Sequence, residues 1–215
     1  MTLLLLVRHG HTDVAGKVLT GQTRGVHLTN RGREQARALV ERLEGVPVQA
    51  LYSSPLERCR ETAAPLARDR GLTVRIRRDL IEPDFGEWTG RSIRQLARTK
   101  RWRSVQLAPS SFRFPGGESL RGVQTRSVEA IRAIAAEHPR GSVVVVSHAD
   151  VVRMVIADLV GLHLDLFQRL SVEPGSISAI ALEDGRARIL KVSDTGDLTS
   201  LAPSGARGRA RKRAG

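Results

Sequence analysis

The run Leu3-Leu4-Leu5-Leu6-Val7-Arg8-His9-Gly10 sets five consecutive apolar residues directly before a guanidinium and an imidazole. An apolar run without alternation predicts a strand buried on both faces, as in the middle of a parallel sheet. Val143 to Val146 repeats the pattern and ends in Ser147-His148. In open α/β sheets the ligand crevice lies at the carboxyl ends of the strands. The two most apolar strands therefore each deliver a histidine to one edge. A histidine placed elsewhere is ordinarily structural or solvated, and His27, His138 and His163 keep that reading; His9 and His148 do not.

Working outward from the first strand, Thr29 is a plausible N-cap, and Ala36, Leu39, Val40 and Leu43 recur at helical spacing until Gly45 closes the segment. Ala50-Leu51-Tyr52 reads as a short strand. Ser54-Pro55-Leu56-Glu57 has the form of a capping box with proline at the first helical position, which sets Arg58 in the first turn of a helix. Thr73 to Ile76 alternates as a third strand. Val123, Val128, Ile131 and Ile134 mark one later helix, and Val151, Val152, Val155, Ile156 and Leu159 another. Ile177 to Leu182 and Arg188 to Val192 flank the turn Glu183-Asp184-Gly185 and predict a hairpin. Strands alternating with helices predict an α/β three-layer sandwich: a mostly parallel sheet with an antiparallel edge, helices on both faces. Residues 1–202 are expected to form a single domain. About 82–117, with both tryptophans and three of the four phenylalanines, is expected to form an irregular cap whose aromatics are its own core.

The chain has 215 residues, enough to bury a core without a disulfide or a metal. No apolar run approaches the ~20 residues of a membrane-spanning helix, and no secretory signal pattern stands at the N-terminus, so no membrane partner is expected. Cys59 is the single cysteine and cannot form an internal bridge, which predicts a cytoplasmic setting. The net charge of +13 arises from 35 basic and 22 acidic residues. Part of it lies in residues 203–215, whose Gly, Ala, Ser and Arg cannot support a packed core, so a disordered basic tail is expected there. Such a balance is read as a solvated cationic surface, with attraction of anionic substrates or nucleic acid as the sharper alternative.

His9, His148, Arg8 and Arg58, all at expected strand ends or first helical turns, would converge on one pocket. A phosphoryl group suits it, because guanidinium forks match phosphate oxygens and a helix N-terminus adds N–H donors. The motifs carry a resemblance. Leu5-Leu6-Val7-Arg8-His9-Gly10-His11-Thr12 resembles the RHG signature of the histidine phosphatase superfamily, also called the phosphoglycerate-mutase-like family. Ser53 to Ala63 is similar to its second arginine motif, Leu80 to Gly90 to its acidic motif, Phe114 to Ser119 to its GGES loop, and Val146-Ser147-His148 to its second histidine motif. Five motifs in order cover Leu3 to about Val192.

The resemblance implies that His9 attacks phosphorus, that Arg8, Arg58 and His148 hold the transferring group, and that Glu82 protonates the leaving oxygen and later activates water. It implies that Thr20, Gly21 and Gln22 touch substrate, although the segment also reads as a plain turn, and that Glu118 and Ser119 order the cap. The expected function is a phosphomonoesterase acting on a small-molecule phosphate ester through a phosphohistidine, in the phosphatase branch. The interval from Glu82 to His148 is short and carries the Phe-Gly-Glu-Trp and GGES pattern of that branch. A phosphoglycerate mutase is one alternative; a non-enzymatic anion- or nucleic-acid-binding protein is another, which the intact catalytic motifs disfavour. Three positions depart from the family's common pattern: Ala15 stands where asparagine is frequent, His11 where glutamate or glutamine is, and His27 where an acidic residue is. Spacing reveals no metal-ligand set and no nucleotide fingerprint, so neither metal nor cofactor is expected. A homodimer is an open option.

Overall fold

The expected first strand forms as β1 (Thr2–Arg8) at the centre of a six-stranded sheet. The remaining elements are α1 (Asn30–Arg42), β2 (Val48–Ser53), α2 (Glu57–Arg70), β3 (Val74–Ile76), α3 (Ile93–Leu96), α4 (Lys100–Leu107), α5 (Leu120–Glu137), β4 (Ser142–Ser147), α6 (Ala149–Leu159), β5 (Ile177–Glu183) and β6 (Arg186–Asp194). These come from a computed structural model that describes residues 1–183 and 185–196. The tail expected over 203–215, and Asp184 of the hairpin turn, lie outside the described residues.

The strand order is β3-β2-β4-β1-β5-β6. The pairs β3·β2, β2·β4 and β4·β1 are parallel, while β5 and β6 run antiparallel and form the expected edge. The sheet is a three-layer sandwich's middle. Leu3, Leu5 and Val7 face one way, onto Leu39 of α1, Leu43 just past its end, and Ala63 and Leu66 of α2. Leu4 and Leu6 face the other way, onto Val128, Ile131 and Ile134 of α5 and Val152, Val155 and Ile156 of α6. This two-sided burial is why neither strand alternates in sequence. Each buried leucine of β1 contributes about 2 kcal/mol relative to exposure. That margin lets the strand hold the polar cluster at its end.

A third cluster joins Phe85, Trp88, Phe112 and Phe114, all buried, with Leu120 and Val151. The stretch 82–117 is more regular than expected, because it contains α3, α4 and two single 3-10 turns at Gly86–Trp88 and Pro109–Ser111. Trp102 and Val105 lie three apart on α4 and pack into this cluster, while the third apolar residue, Leu107, is exposed; two inward-facing residues in an eight-residue helix are too few to show a period in sequence.

A second correction concerns α2. It starts at Glu57 with Leu56 as N-cap, and no side chain caps it. The capping box does not form, because the Ser54 side chain is buried and turned toward His148 instead. By contrast, Thr29 caps α1 by accepting from Gly32 N–H, as expected. No helix among the described residues is long and apolar enough to cross a membrane.

Candidate active site

Parallel pairing of β1 with β4 sets Arg8 opposite Ser147, so the next residues, His9 and His148, leave adjacent strands side by side. The His9 backbone N–H donates to the Ser147 carbonyl at 2.9 Å, and the two imidazoles meet edge to face with ring centres 5.3 Å apart. Gly10 then passes so close to the start of α1 that a Cβ on it would lie 2.6 Å from the Gly32 carbonyl. The turn behind His9 therefore has no room for a side chain.

His9 Nδ1 lies 2.8 Å from the Gly10 carbonyl oxygen, a contact that requires the Nδ1–H tautomer and leaves Nε2 with a free lone pair. Burial first, and then the adjacent Arg58 and Arg8 charges, push the His9 pKa down to about 3. A neutral, singly oriented imidazole is a nucleophile at ordinary pH. His148 is completely buried and likewise held well below the usual histidine range by burial, Arg58 and His9.

Arg58, 1% exposed, donates from Nη2 to the Gly21 carbonyl at 2.8 Å and from Nη1 to that of Thr23 at 3.4 Å. Arg8 donates from Nη1 to the Val172 carbonyl at 2.6 Å, while its Nε is buried without a partner. Among the described residues, neither guanidinium has a carboxylate oxygen within 4.0 Å. Two guanidiniums steadied by neutral carbonyls leave a surplus of positive charge in a desolvated pocket, a costly state that an anion relieves.

Glu82 completes the pocket. Its side chain is 12% exposed; Oε2 lies 3.4 Å from His148 Nδ1, and Oε1 is buried without a partner. Burial, then the charge of Asp150, push its pKa up to about 8 against the opposing pull of Arg58, Arg8 and Arg153. Glu82 thus carries its proton at neutral pH. His9, Glu82 and His148 place ligand-capable atoms within 4.8 Å of one another, a grouping that sequence spacing did not reveal because the three arrive from distant segments.

The five residues expected to carry chemistry converge. Of the three expected at the substrate, Gly21 supports Arg58, and Gln22 Nε2 donates to the Glu82 carbonyl at 3.1 Å. The Thr20 carbonyl closes the turn by accepting from Thr23 N–H at 2.9 Å. Sequence reasoning missed Ser54, disguised as a cap, and Arg126. The Arg126 guanidinium donates from Nη1 to the Asp79 and Ile81 carbonyls, both at 2.8 Å, and from Nη2 to the Glu82 carbonyl at 3.3 Å. It also pairs with Glu118, whose Oε2 accepts from Asp84 N–H at 2.9 Å. A carboxylate followed by an arginine on the next helix is too common a pattern to single this pair out.

A model of the histidine phosphatase superfamily (branch 1) matches residues 4–195. Phosphoserine phosphatase 1 of Hydrogenobacter thermophilus is 32% identical over 203 residues, which span 91% of this chain and 93% of that protein. The probable phosphoglycerate mutase GpmB of Salmonella choleraesuis is 31% identical over 207 residues, spanning 94% and 95%. Among solved structures, Bacillus stearothermophilus YhfR superposes with a TM-score of 0.84 at 27% identity, covering 90% of this chain and 98% of that one.

Proposed function

Because the chain belongs to the histidine phosphatase superfamily, and is a phosphoric monoester hydrolase of it, we propose that His9 is its nucleophile and Glu82 its acid and base. Nε2 of His9 attacks phosphorus, a P–N bond forms as the ester P–O bond breaks, and Glu82 gives its proton to the leaving oxygen. The Glu82 carboxylate then takes a proton from water, whose oxygen displaces His9 and releases inorganic phosphate. Arg8, Arg58 and His148 hold the phosphoryl oxygens throughout. Thr20, Gly21 and Gln22 line the substrate's approach. The observation that carries this reading is the pair of guanidiniums, Arg8 and Arg58, uncompensated beside a neutral imidazole.

The same charges argue for chemistry without a metal, since a divalent cation among His9, Glu82 and His148 would meet both arginines. A chelator is expected to leave turnover unchanged. We take residues 1–202 as one domain in a cytoplasmic enzyme with no nucleic-acid role, and leave a homodimer as an option that sedimentation resolves. The relative named for phosphoserine makes that ester the first substrate to assay.

The enzyme quenched during turnover is expected to carry an acid-labile, base-stable phosphate on His9, and His9→Ala to be inactive. Phosphate mapped to another residue, or an active alanine variant, would sink the mechanism. The relative named as a probable mutase supports a second reading. Supplied with 3-phosphoglycerate and catalytic 2,3-bisphosphoglycerate, the enzyme should mainly release phosphate; rapid formation of 2-phosphoglycerate with little free phosphate would decide for the mutase.

A further inference from the structure

A neutral imidazole has one N–H, and which nitrogen carries it decides what the ring can do. For His148, Nδ1 is the nitrogen near Glu82, at 3.4 Å, and faces the pocket. Nε2 faces inward, 2.8 Å from Ser54 Oγ and 3.5 Å from Cys59 Sγ. Cys59 cannot set the tautomer strongly: sulfur is a weak hydrogen-bonding atom, and its thiol points to the Ser147 carbonyl at 3.5 Å. Glu82 at its longer distance is the looser neighbour. Ser54 is different. It is fully buried, its own backbone N–H is used on the Val146 carbonyl, and its Oγ stands in the path of the Leu56 N–H at 3.5 Å. With Oγ accepting from Leu56, its hydroxyl proton is free to point at His148 Nε2.

We propose that Ser54 is a positioning residue: its hydroxyl donates to His148 Nε2 and so fixes the Nδ1–H tautomer, which turns His148 into a donor toward the phosphoryl oxygens. The opposite tautomer would spend the only N–H on the serine and present a lone pair to an anion. With Nδ1–H of His9 held by Gly10, the two rings then share one tautomer with opposite uses. His9 offers its lone pair to phosphorus, and His148 offers its proton to oxygen. Burial of both rings keeps them neutral, so the arrangement depends on these two hydrogen bonds rather than on charge. The role of the donor rests on the phosphatase reading; the tautomer itself does not.

The test is therefore made first on the free enzyme. With 15N-labelled histidine, two-bond 15N–1H correlations report which ring nitrogen is protonated, and loss of a signal set in His148→Gln assigns His148. The wild type is expected to show protonated Nδ1 and bare Nε2. An Nε2–H tautomer there would overturn the proposal, whatever the enzyme hydrolyses. Ser54→Ala should then mix the tautomers and lower kcat/KM at least about 10-fold, the loss expected when one charge-assisted hydrogen bond to phosphate is removed. Inorganic phosphate should inhibit that variant more weakly by a similar factor. An Ser54→Ala enzyme with an unaltered His148 spectrum and wild-type kinetics would equally refute the role. Should the variant fail to fold, the wild-type spectrum alone decides.

Discussion

Glu82 and His9 are driven in opposite directions by the same burial, which disfavours whichever form is charged. The consequence for stability has a sign at each end of the pH scale. Glu82 holds its proton up to about 8 in the folded chain, against 4.5 ordinarily, so the folded state binds the extra proton and stability falls as pH rises through that window. His9, depressed from 6.5 to about 3, refuses a proton that the unfolded chain accepts, so stability falls as pH drops through its window. Glu82→Gln should therefore raise Tm at pH 9 relative to wild type while slowing alkyl phosphates far more than nitrophenyl phosphate, whose leaving oxygen needs no proton. Equal rate losses on both esters would rule out the acid role. Wild-type activity on alkyl esters should decline as pH rises past about 8. Arg58→Lys removes the fork that spans Gly21 and Thr23, and at least ~10-fold in kcat/KM, or about 1.4 kcal/mol, should go with it. Unchanged kinetics would place Arg58 outside the reaction.

Glu82 sits on no helix or strand; its precision comes from the element behind it. Arg126 of α5 reaches across to three of the four carbonyl groups of the segment Asp79–Glu82, leaving out Leu80, whose carbonyl accepts from Ser147 Oγ at 2.7 Å. Arg126→Lys cannot bridge these acceptors and Glu118 together. We expect a loss of about 1–3 kcal/mol in unfolding free energy and a fall in kcat concentrated on esters with poor leaving groups. Denaturant titration and a leaving-group series check the two halves separately. At this scale the sequence was partly legible. Apolar runs and spacing revealed β1, β4, α1 and the closing hairpin, because the hydrophobic period there mirrors burial directly. Ser54-Pro55-Leu56-Glu57 misled, because a capping pattern describes what a serine can do locally, while a histidine brought in by β4 offered the buried hydroxyl a partner. Arg126 was silent for a related reason, since the carbonyls that it holds lie more than forty residues away along the chain. The family motifs pointed to His9, Arg8, Arg58, Glu82 and His148, but only the fold shows that carbonyls hold His9, Arg8 and Arg58 while Ser54 and Glu82 flank His148.

Over the whole molecule the positive charge is unevenly spread. From Trp88 to Gly117, in the cap that follows Glu82 in the chain, there are seven basic residues and no acidic one. Such a field should draw anionic esters in, so kcat/KM should fall with rising ionic strength while kcat holds steady. A flat kcat/KM from low to physiological salt would show that the surface plays no part in encounter. Removal of residues after Ala202 should leave turnover of small esters intact. The pairing of β1 with β4 has a different consequence, which concerns when the molecule becomes an enzyme. His9, Arg58 and Glu82 are all made early, yet the strand that carries His148 and supplies the Ser147 carbonyl to His9 begins only at Ser142. A nascent chain that has not yet reached β4 also lacks the strand that joins β1 to β2, so it has neither the central sheet nor the pocket. Hydrolytic activity is thus expected to be withheld at least until β4 is made and inserted between β1 and β2, while the edge strands β5 and β6 are still to follow.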